Sequence, residues 1–229
     1  MIILAIDTGS KVATAGICQD GKLLGEYTIN NGLTHSQGLL PMIDNLLVTL
    51  NLTLKDIDAF AVSTGPGSFT GLRIGIATIK GFAFSENKPC IEVSSLEAMA
   101  YNHLYTNYII CPLMDARNNQ VYNAIYKREN GKLKIIKEPR AIEMSKVIED
   151  LKKLKGKVLF LGDGVTPNID AVKSLKTRAL ISEFNNNMQR GASVALVAWE
   201  KAKAGQFVTG DSLSAEYLRK SQAEREREK

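Results

Sequence analysis

Apolar residues open the chain as one run, Ile2-Ile3-Leu4-Ala5-Ile6, closed by Asp7-Thr8-Gly9. A short apolar run ended by a turn signal reads as a buried strand. A second strand over 12–18, the hairpin pair Asp20-Gly21 and a third strand over 22–29 predict a three-stranded antiparallel meander. Near 35–50 the spacing becomes helical: Leu39, Ile43, Leu46, Leu47 and Leu50 share a face, and Leu40, Met42 and Val48 widen it beyond what one buried contact needs. Pro41 inside this helix predicts a kink or the start of its regular part. A strand over 59–63 runs into Gly65-Pro66-Gly67, and a helix follows with Thr70 as its expected N-cap. Leu72, Ile76, Ile79 and Ala83 form its apolar stripe, and Gly71, Gly75 and Thr78 a small-residue face beside it. Interior helix glycines cost about 1 kcal/mol each relative to alanine, so two of them one turn apart predict a very close neighbour. A strand near 89–93 and a short helix over 95–103 complete this set.

The order then begins again. The strand over 108–114 ends in Asp115-Ala116, a second strand covers 120–127, and Asn130-Gly131 marks another hairpin. Asp7 and Asp115 lie 108 residues apart, Val12 and Val121 109, and Lys22-Leu23 and Lys132-Leu133 110. A helix over 144–154, a strand Val158–Leu161 running into Gly162-Asp163-Gly164, a helix over 167–175, a strand near 178–182 and a long helix over 191–204 complete the second set. The register of turn signals predicts an internal duplication of one β-β-β-α-β-α unit. The expected division is 1–104 for the N-terminal domain, 105–210 for the C-terminal domain, and 211–229 for a solvated, partly helical tail of alternating charge.

Composition narrows the class without naming a chemistry. The 229 residues are 45% hydrophobic and 23% charged, ordinary for a globular protein. The net charge of +5 leans mildly toward anionic partners, with the basic residues read as scattered. Cys18, Cys90 and Cys111 show no C-x-x-C spacing and read as buried reduced thiols. No apolar run approaches the length of a membrane span, and a cytoplasmic location is expected.

Candidate chemistry is sparse. The strand–glycine turn–helix around Gly65-Pro66-Gly67 matches neither the P-loop nor G-x-G-x-x-G. It remains open to three readings: a phosphate site at a helix N-terminus, a partner surface, or tight packing. His35 and His103 form no metal pair, and neither G-x-S-x-G nor a Ser/His/Asp spacing is present, so no hydrolase machinery is expected. A duplicated β-β-β-α-β-α unit with an aspartate closing each first strand is similar to the actin/Hsp70/sugar-kinase architecture: α/β, two tandem RNase H-like domains. In that architecture nucleotide binds in the cleft between halves. Asp7, Thr8 and Gly9, with Gly162 and Gly164, are then the candidate nucleotide contacts, and an ATP-binding kinase or ATPase is the alternative function.

The string Gly65-Pro66-Gly67-Ser68-Phe69-Thr70-Gly71-Leu72-Arg73-Ile74-Gly75 is specific. Together with Ile3 to Thr8, His35-Ser36, Leu39-Leu40-Pro41, Ser94-Ser95-Leu96-Glu97-Ala98, Tyr217-Leu218-Arg219 and Gln222-Ala223-Glu224, it resembles the TsaB (YeaZ) family over nearly the whole chain. The resemblance implies a non-catalytic assembly subunit of the tRNA threonylcarbamoyladenosine complex. Its implied partners are the paralogous catalytic threonylcarbamoyltransferase, a small P-loop ATPase and, through the complex, tRNA. A homodimer is expected in isolation, and no cofactor is expected on the chain alone, with ATP or ADP at a subunit interface of the complex. The catalytic paralogue holds its metal with H-x-x-x-H; here only His35 stands in the corresponding region, so no catalytic and no metal residues are assigned. The helices over 35–50 and 69–86 are the expected interface, through Leu39, Met42, Ile43, Leu46, Leu47, Leu50, Gly71, Leu72, Gly75, Ile76, Ile79 and Phe82. On this reading Gly75→Leu or Leu46→Asp abolishes assembly without unfolding.

Overall fold

In the computed structural model, which describes residues 1–32 and 35–219, the first sheet is built from β1 (Ile2–Asp7), β2 (Ala13–Gln19), β3 (Lys22–Ile29), β4 (Ala59–Gly65) and β5 (Cys90–Ser94) in the order β3-β2-β1-β4-β5. The meander is antiparallel, and β4 and β5 add in parallel beside β1. Strand β1 is buried on both faces, which explains its unbroken apolar run. Leu4 and Ile6 point to one side, where α1 (His35–Thr49) and α2 (Phe69–Glu86) pack. Ile3 and Ala5 point to the other, where α6 (Gly191–Lys203) lies, with α3 (Ser95–Tyr101) beside it. Helix α1 is continuous through Pro41, whose ring is exposed. The N-cap of α2 is Ser68, not Thr70: the Ser68 hydroxyl accepts from the Gly71 amide at 3.4 Å, and Thr70 already lies in the first turn.

Helix α6 reaches the sheet because two glycines meet. A Cβ on Gly16 would strike the backbone of Gly191, and a Cβ on Gly191 the backbone of Ala15 and Gly16. The Gly191 amide donates to Thr14 Oγ1 at 2.7 Å, and Arg190 clasps Glu26 through two hydrogen bonds of 2.8 and 3.3 Å. Beyond α6 the chain crosses the open edge of β5, where Val208 pairs antiparallel with Cys90, and Leu213 is buried.

The second sheet repeats the plan with β6 (Ile109–Asp115), β7 (Gln120–Glu129), β8 (Lys132–Glu143), β9 (Val158–Leu161) and β10 (Ala179–Ile181). Its order, β8-β7-β6-β9-β10, is the first sheet's order strand for strand, with the same parallel and antiparallel pairings. The duplication read from the turn signals is therefore one of topology. Helices α4 (Met144–Lys152) and α5 (Ile169–Lys173) cover one face around Phe160, Val147 and Leu151.

The division into units differs from the expected one. Unit 1 comprises Met1–Asn102 with Gln189–Ala215, and unit 2 comprises His103–Met188 with the chain from Glu216. The stretch carrying α6, assigned by sequence order to a domain over 105–210, packs on the first sheet instead. The Gly16–Gly191 approach and the alanine face of α6 fit it there. The last ten residues of the expected tail, 220–229, lie outside the described residues, and 216–219 are not helical.

Candidate functional site

The loop after β1 is where sequence expectation and structure part most sharply. Asp7, Thr8, Gly9 and Ser10 are all buried. Asp7 Oδ1 accepts from the Gly9 amide at 2.7 Å, and Thr8 Oγ1 donates to the Gly71 carbonyl at 2.8 Å. The Gly9 carbonyl accepts from the Ser68 amide at 2.7 Å. The Ser10 hydroxyl bonds Gln189 Oε1 at 2.8 Å and accepts from the Val12 amide at 3.1 Å, and the Ser10 carbonyl lies 2.7 Å from His35 Nε2. A carbonyl only accepts, so that nitrogen carries the proton.

The glycines of the turn before α2 and of its first two turns make this closure fit. A Cβ on Gly67 would meet the Gly9 backbone, one on Gly71 the Thr8 carbonyl, and one on Gly75 would come 2.5 Å from Thr8 Oγ1. The close neighbour expected from the glycine pair is thus the loop after β1 of the same chain. Of the three readings of the glycine turn, tight packing describes its contacts: Asp7, Thr8 and Gly9 are buried, and Asp7 Oδ1, Thr8 Oγ1 and the Gly9 backbone are bonded within unit 1.

Asp7 itself is the costly member of this knot. Burial pushes its carboxyl above the usual carboxylate range, offset in part by Ser63, the Gly9 amide, Ser95 and the charge of His35. The hydroxyls of Ser63 and Ser95 face the carboxylate without reaching well-aligned hydrogen bonds, so both hydroxyls and Asp7 Oδ2 are buried without a partner among the described residues. Ser63 carried no signal in the sequence beyond its place in an apolar strand, and Ser95 none beyond its place in the Ser94–Ala98 motif.

The helix pair α1–α2 corrects the residue assignment of the expected interface. Leu39, Met42, Ile43, Leu46 and Leu47 are buried in the core of unit 1, as are Leu72, Ile76 and Ile79. Gly71 and Gly75 are filled by the Thr8 loop. Leu50 and Phe82 pack partly buried on the same core, Phe82 with its ring centroid 5.7 Å from that of Phe60. The buried part of the α1 arc is used within the chain, against the sheet and the neighbouring α2, while Leu40 and Val48 at its margins are not. Gly75→Leu and Leu46→Asp would consequently disrupt the fold rather than an interface. What the two helices turn outward is a different set: Leu40 (53% exposed), Val48 (69%) and Phe84 (89%), with Ala77 and two glycines, Gly38 and Gly81, around which a Cβ would find open space. Leu40 and Val48 stood in the sequence as residues widening the apolar arc of α1.

In unit 2, Gly162 and Gly164 are also internal. The Gly162 amide donates to Asn187 Oδ1 at 2.9 Å, and the Gly164 amide to the Leu113 carbonyl at 3.0 Å. Asp115 takes the Arg117 amide at 2.8 Å on its own carboxylate. His103 Nε2 lies 2.8 Å from Ser182 Oγ, and burial lowers its pKa. Among the described residues no group of three or more His, Cys, Asp or Glu could hold a metal ion. The three cysteines are free and buried, and burial raises Cys90 to about 11 and Cys111 to about 12, leaving inert thiols. No helix among the described residues is long and apolar enough to cross a membrane.

A family model described as "TsaD: tRNA N6-adenosine threonylcarbamoyltransferase" matches residues 24–226. The "tRNA threonylcarbamoyladenosine biosynthesis protein TsaB" of Bacillus subtilis is 32% identical over 98% of this chain and 96% of its own length. The chain belongs to the TsaB family. The TsaB protein of Escherichia coli is 34% identical over 72% of each chain. The solved structure "YeaZ from Pseudomonas aeruginosa" aligns over 95% of this chain and 99% of its own with a TM-score of 0.81 at 22% identity, so TsaB and YeaZ share this fold. A hexokinase of the ROK type from Thermus thermophilus aligns over 90% of this chain and all of its own at a TM-score of 0.51 and 10% identity, a likeness of fold.

Proposed function

We propose that this chain acts in tRNA threonylcarbamoyladenosine biosynthesis as a non-catalytic assembly subunit. It binds the paralogous catalytic threonylcarbamoyltransferase and helps recruit an ATPase subunit. The outward face of α1 and α2 carries the reading: three large apolar side chains stand exposed around glycines that the fold of the chain leaves open. Each such glycine costs about 1 kcal/mol relative to alanine in a helix. A second helix pair approaching closely offsets that cost, and a family model named for the transferase matches this same sequence. Two homologous chains presenting the same helix pair can meet about a pseudo-twofold axis as a four-helix contact. A homodimer through this face, in the absence of the paralogue, follows from the same geometry. Nucleotide is a ligand of the assembled complex rather than of this chain alone, a reading supported by the inward commitment of the loop over 7–10.

The test is titration of the purified transferase paralogue by calorimetry. Phe84→Ala and Leu40→Ala should each weaken association about tenfold, as truncation of an interface anchor does, while the thermal midpoint of the free protein stays unchanged. Unaltered affinity in both variants would move the interface elsewhere.

A further inference from the structure

The positive charge of the chain is confined to one unit. Residues 103–188 carry fifteen Lys and Arg against nine Asp and Glu, a net +6, whereas 1–102 with 189–215 carry nine against eleven, a net −2. Within unit 2 the sheet register collects much of that charge at one end. Lys134 on β8 lies opposite Lys127 on β7, Lys127 opposite Ile109 on β6, Ile109 beside Val158 on β9, and Val158 beside Ala179 on β10. Tyr108, Lys157 and Arg178 immediately precede the last three of these positions. The row therefore reads Lys134, Lys127, Tyr108, Lys157, Arg178 across five strands, about 19 Å at the usual strand spacing. Lys132 opens β8 at the same end, and Lys155 lies in the loop leading into β9.

Little opposes this charge. Glu129 is shared by Lys134 at 3.0 Å and Lys127 at 4.0 Å, and Asp150 takes Arg140, Lys137 and Lys153. Lys132, Lys152, Lys155 and Lys157 make no ion pair among the described residues. The lysine loop is held in shape by Arg178, which donates to the carbonyls of Gly156, Leu151 and Leu154 at 2.9, 3.1 and 2.7 Å. Two exposed tyrosines lie among the cations: the Arg128 guanidinium stands 4.8 Å over the Tyr105 ring, and Lys157 Nζ 5.9 Å from that of Tyr108.

We propose that this end of the second sheet is an RNA-backbone surface, its lysines contacting phosphates and Tyr105 and Tyr108 offering faces on which an unpaired base can stack. The choice of RNA rests on the tRNA-modification role proposed above. The surface gives the second unit a task that the α1–α2 face does not supply.

The test is fluorescence anisotropy of the full chain with a labelled, unmodified tRNA transcript, from about 50 to about 200 mM salt. The wild type should bind with a steep salt dependence. The triple variant Lys132→Gln, Lys155→Gln, Lys157→Gln should lose at least about tenfold in affinity, and its log–log salt slope should fall by about 2. A control with the same charge removed from unit 1, Lys11→Gln, Lys22→Gln, Lys55→Gln, should change binding less than about twofold. Equal losses in both variants, no loss in the first, or no wild-type binding at the lowest salt overturns the assignment. So does binding, lost in the same triple variant, to phosphatidylserine vesicles but not to RNA, which marks a lipid surface. The triple variant should still bind the transferase paralogue, and Phe84→Ala should still bind RNA, so failure of the assembly reading and failure of this one are separable.

Discussion

Gly71→Ala is expected to lower the stability of unit 1 by about 3 kcal/mol, the upper range for forcing one extra carbon into a packed site. Gly81→Ala, less than three turns along the same helix, is expected to raise it by about 0.8 kcal/mol. The chemical change is identical; the surroundings decide the sign. At Gly71 the new methyl would meet the Thr8 carbonyl, a buried backbone atom just past the end of β1, and the Thr8 Oγ1 to Gly71 hydrogen bond leaves neither partner room to retreat. At Gly81 it meets nothing, and the helix gains the propensity difference. Trp199, the single tryptophan, lies on α6 in the same unit, so its fluorescence during urea denaturation reads both variants directly. Equal effects would show that the loop after β1 yields to α2 and that the glycine string has another purpose. Gly81→Ala carries a second readout: if a partner helix approaches there, the variant that folds better should assemble worse.

That contrast also shows what local pattern does and does not encode. The strands, the hairpins at Asp20-Gly21 and Asn130-Gly131, and the repeat of their order are local signals, and the two sheets realise them with one strand order. The glycines at 71 and 75 announced a close neighbour, but the neighbour is Thr8, more than sixty residues upstream, and no spacing within the helix could name it. The width of the α1 arc has two causes. Leu39, Met42, Ile43, Leu46 and Leu47 are absorbed by the sheet and by α2, whereas Leu40 and Val48, which widen the arc, stay exposed. Helix α6 was visible as a helix but not as a visitor to the first sheet, because the Gly16–Gly191 approach joins residues 175 positions apart. The charge asymmetry is already present under division by sequence order, with a net −3 over 1–104 and +8 over 105–210; the row of cations at one end of the second sheet needs the strand register.

Asp7→Asn is expected to stabilise the protein by about 2 kcal/mol at pH 7.5, within the cost of leaving buried polar groups unpaired. The amide keeps the Oδ1 that accepts from Gly9, removes the charge that burial disfavours, and offers N–H groups toward Ser63 and Ser95, whose hydroxyls lack partners. The sign with pH follows from the raised pKa of Asp7. Its folded pKa lies above the unfolded one, so the folded state binds the proton more tightly. The wild type is therefore best off below the unfolded pKa of about 4 and loses stability as pH rises from there through the folded value. Asn does not titrate, so its advantage should be small near pH 4, grow with pH and then level off. The groups facing the carboxylate are the Ser63 and Ser95 hydroxyls, the Gly9 amide and His35. His35→Gln isolates the one charge among them and should raise the Asp7 pKa further. The readout is again the urea midpoint of Trp199 fluorescence, at pH 4.5 and 7.5 in each variant. A less stable Asn variant at pH 7.5 would mean that the carboxylate is compensated by a bound cation or ordered water. A more stable one would mean that the aspartate is carried at a cost in stability.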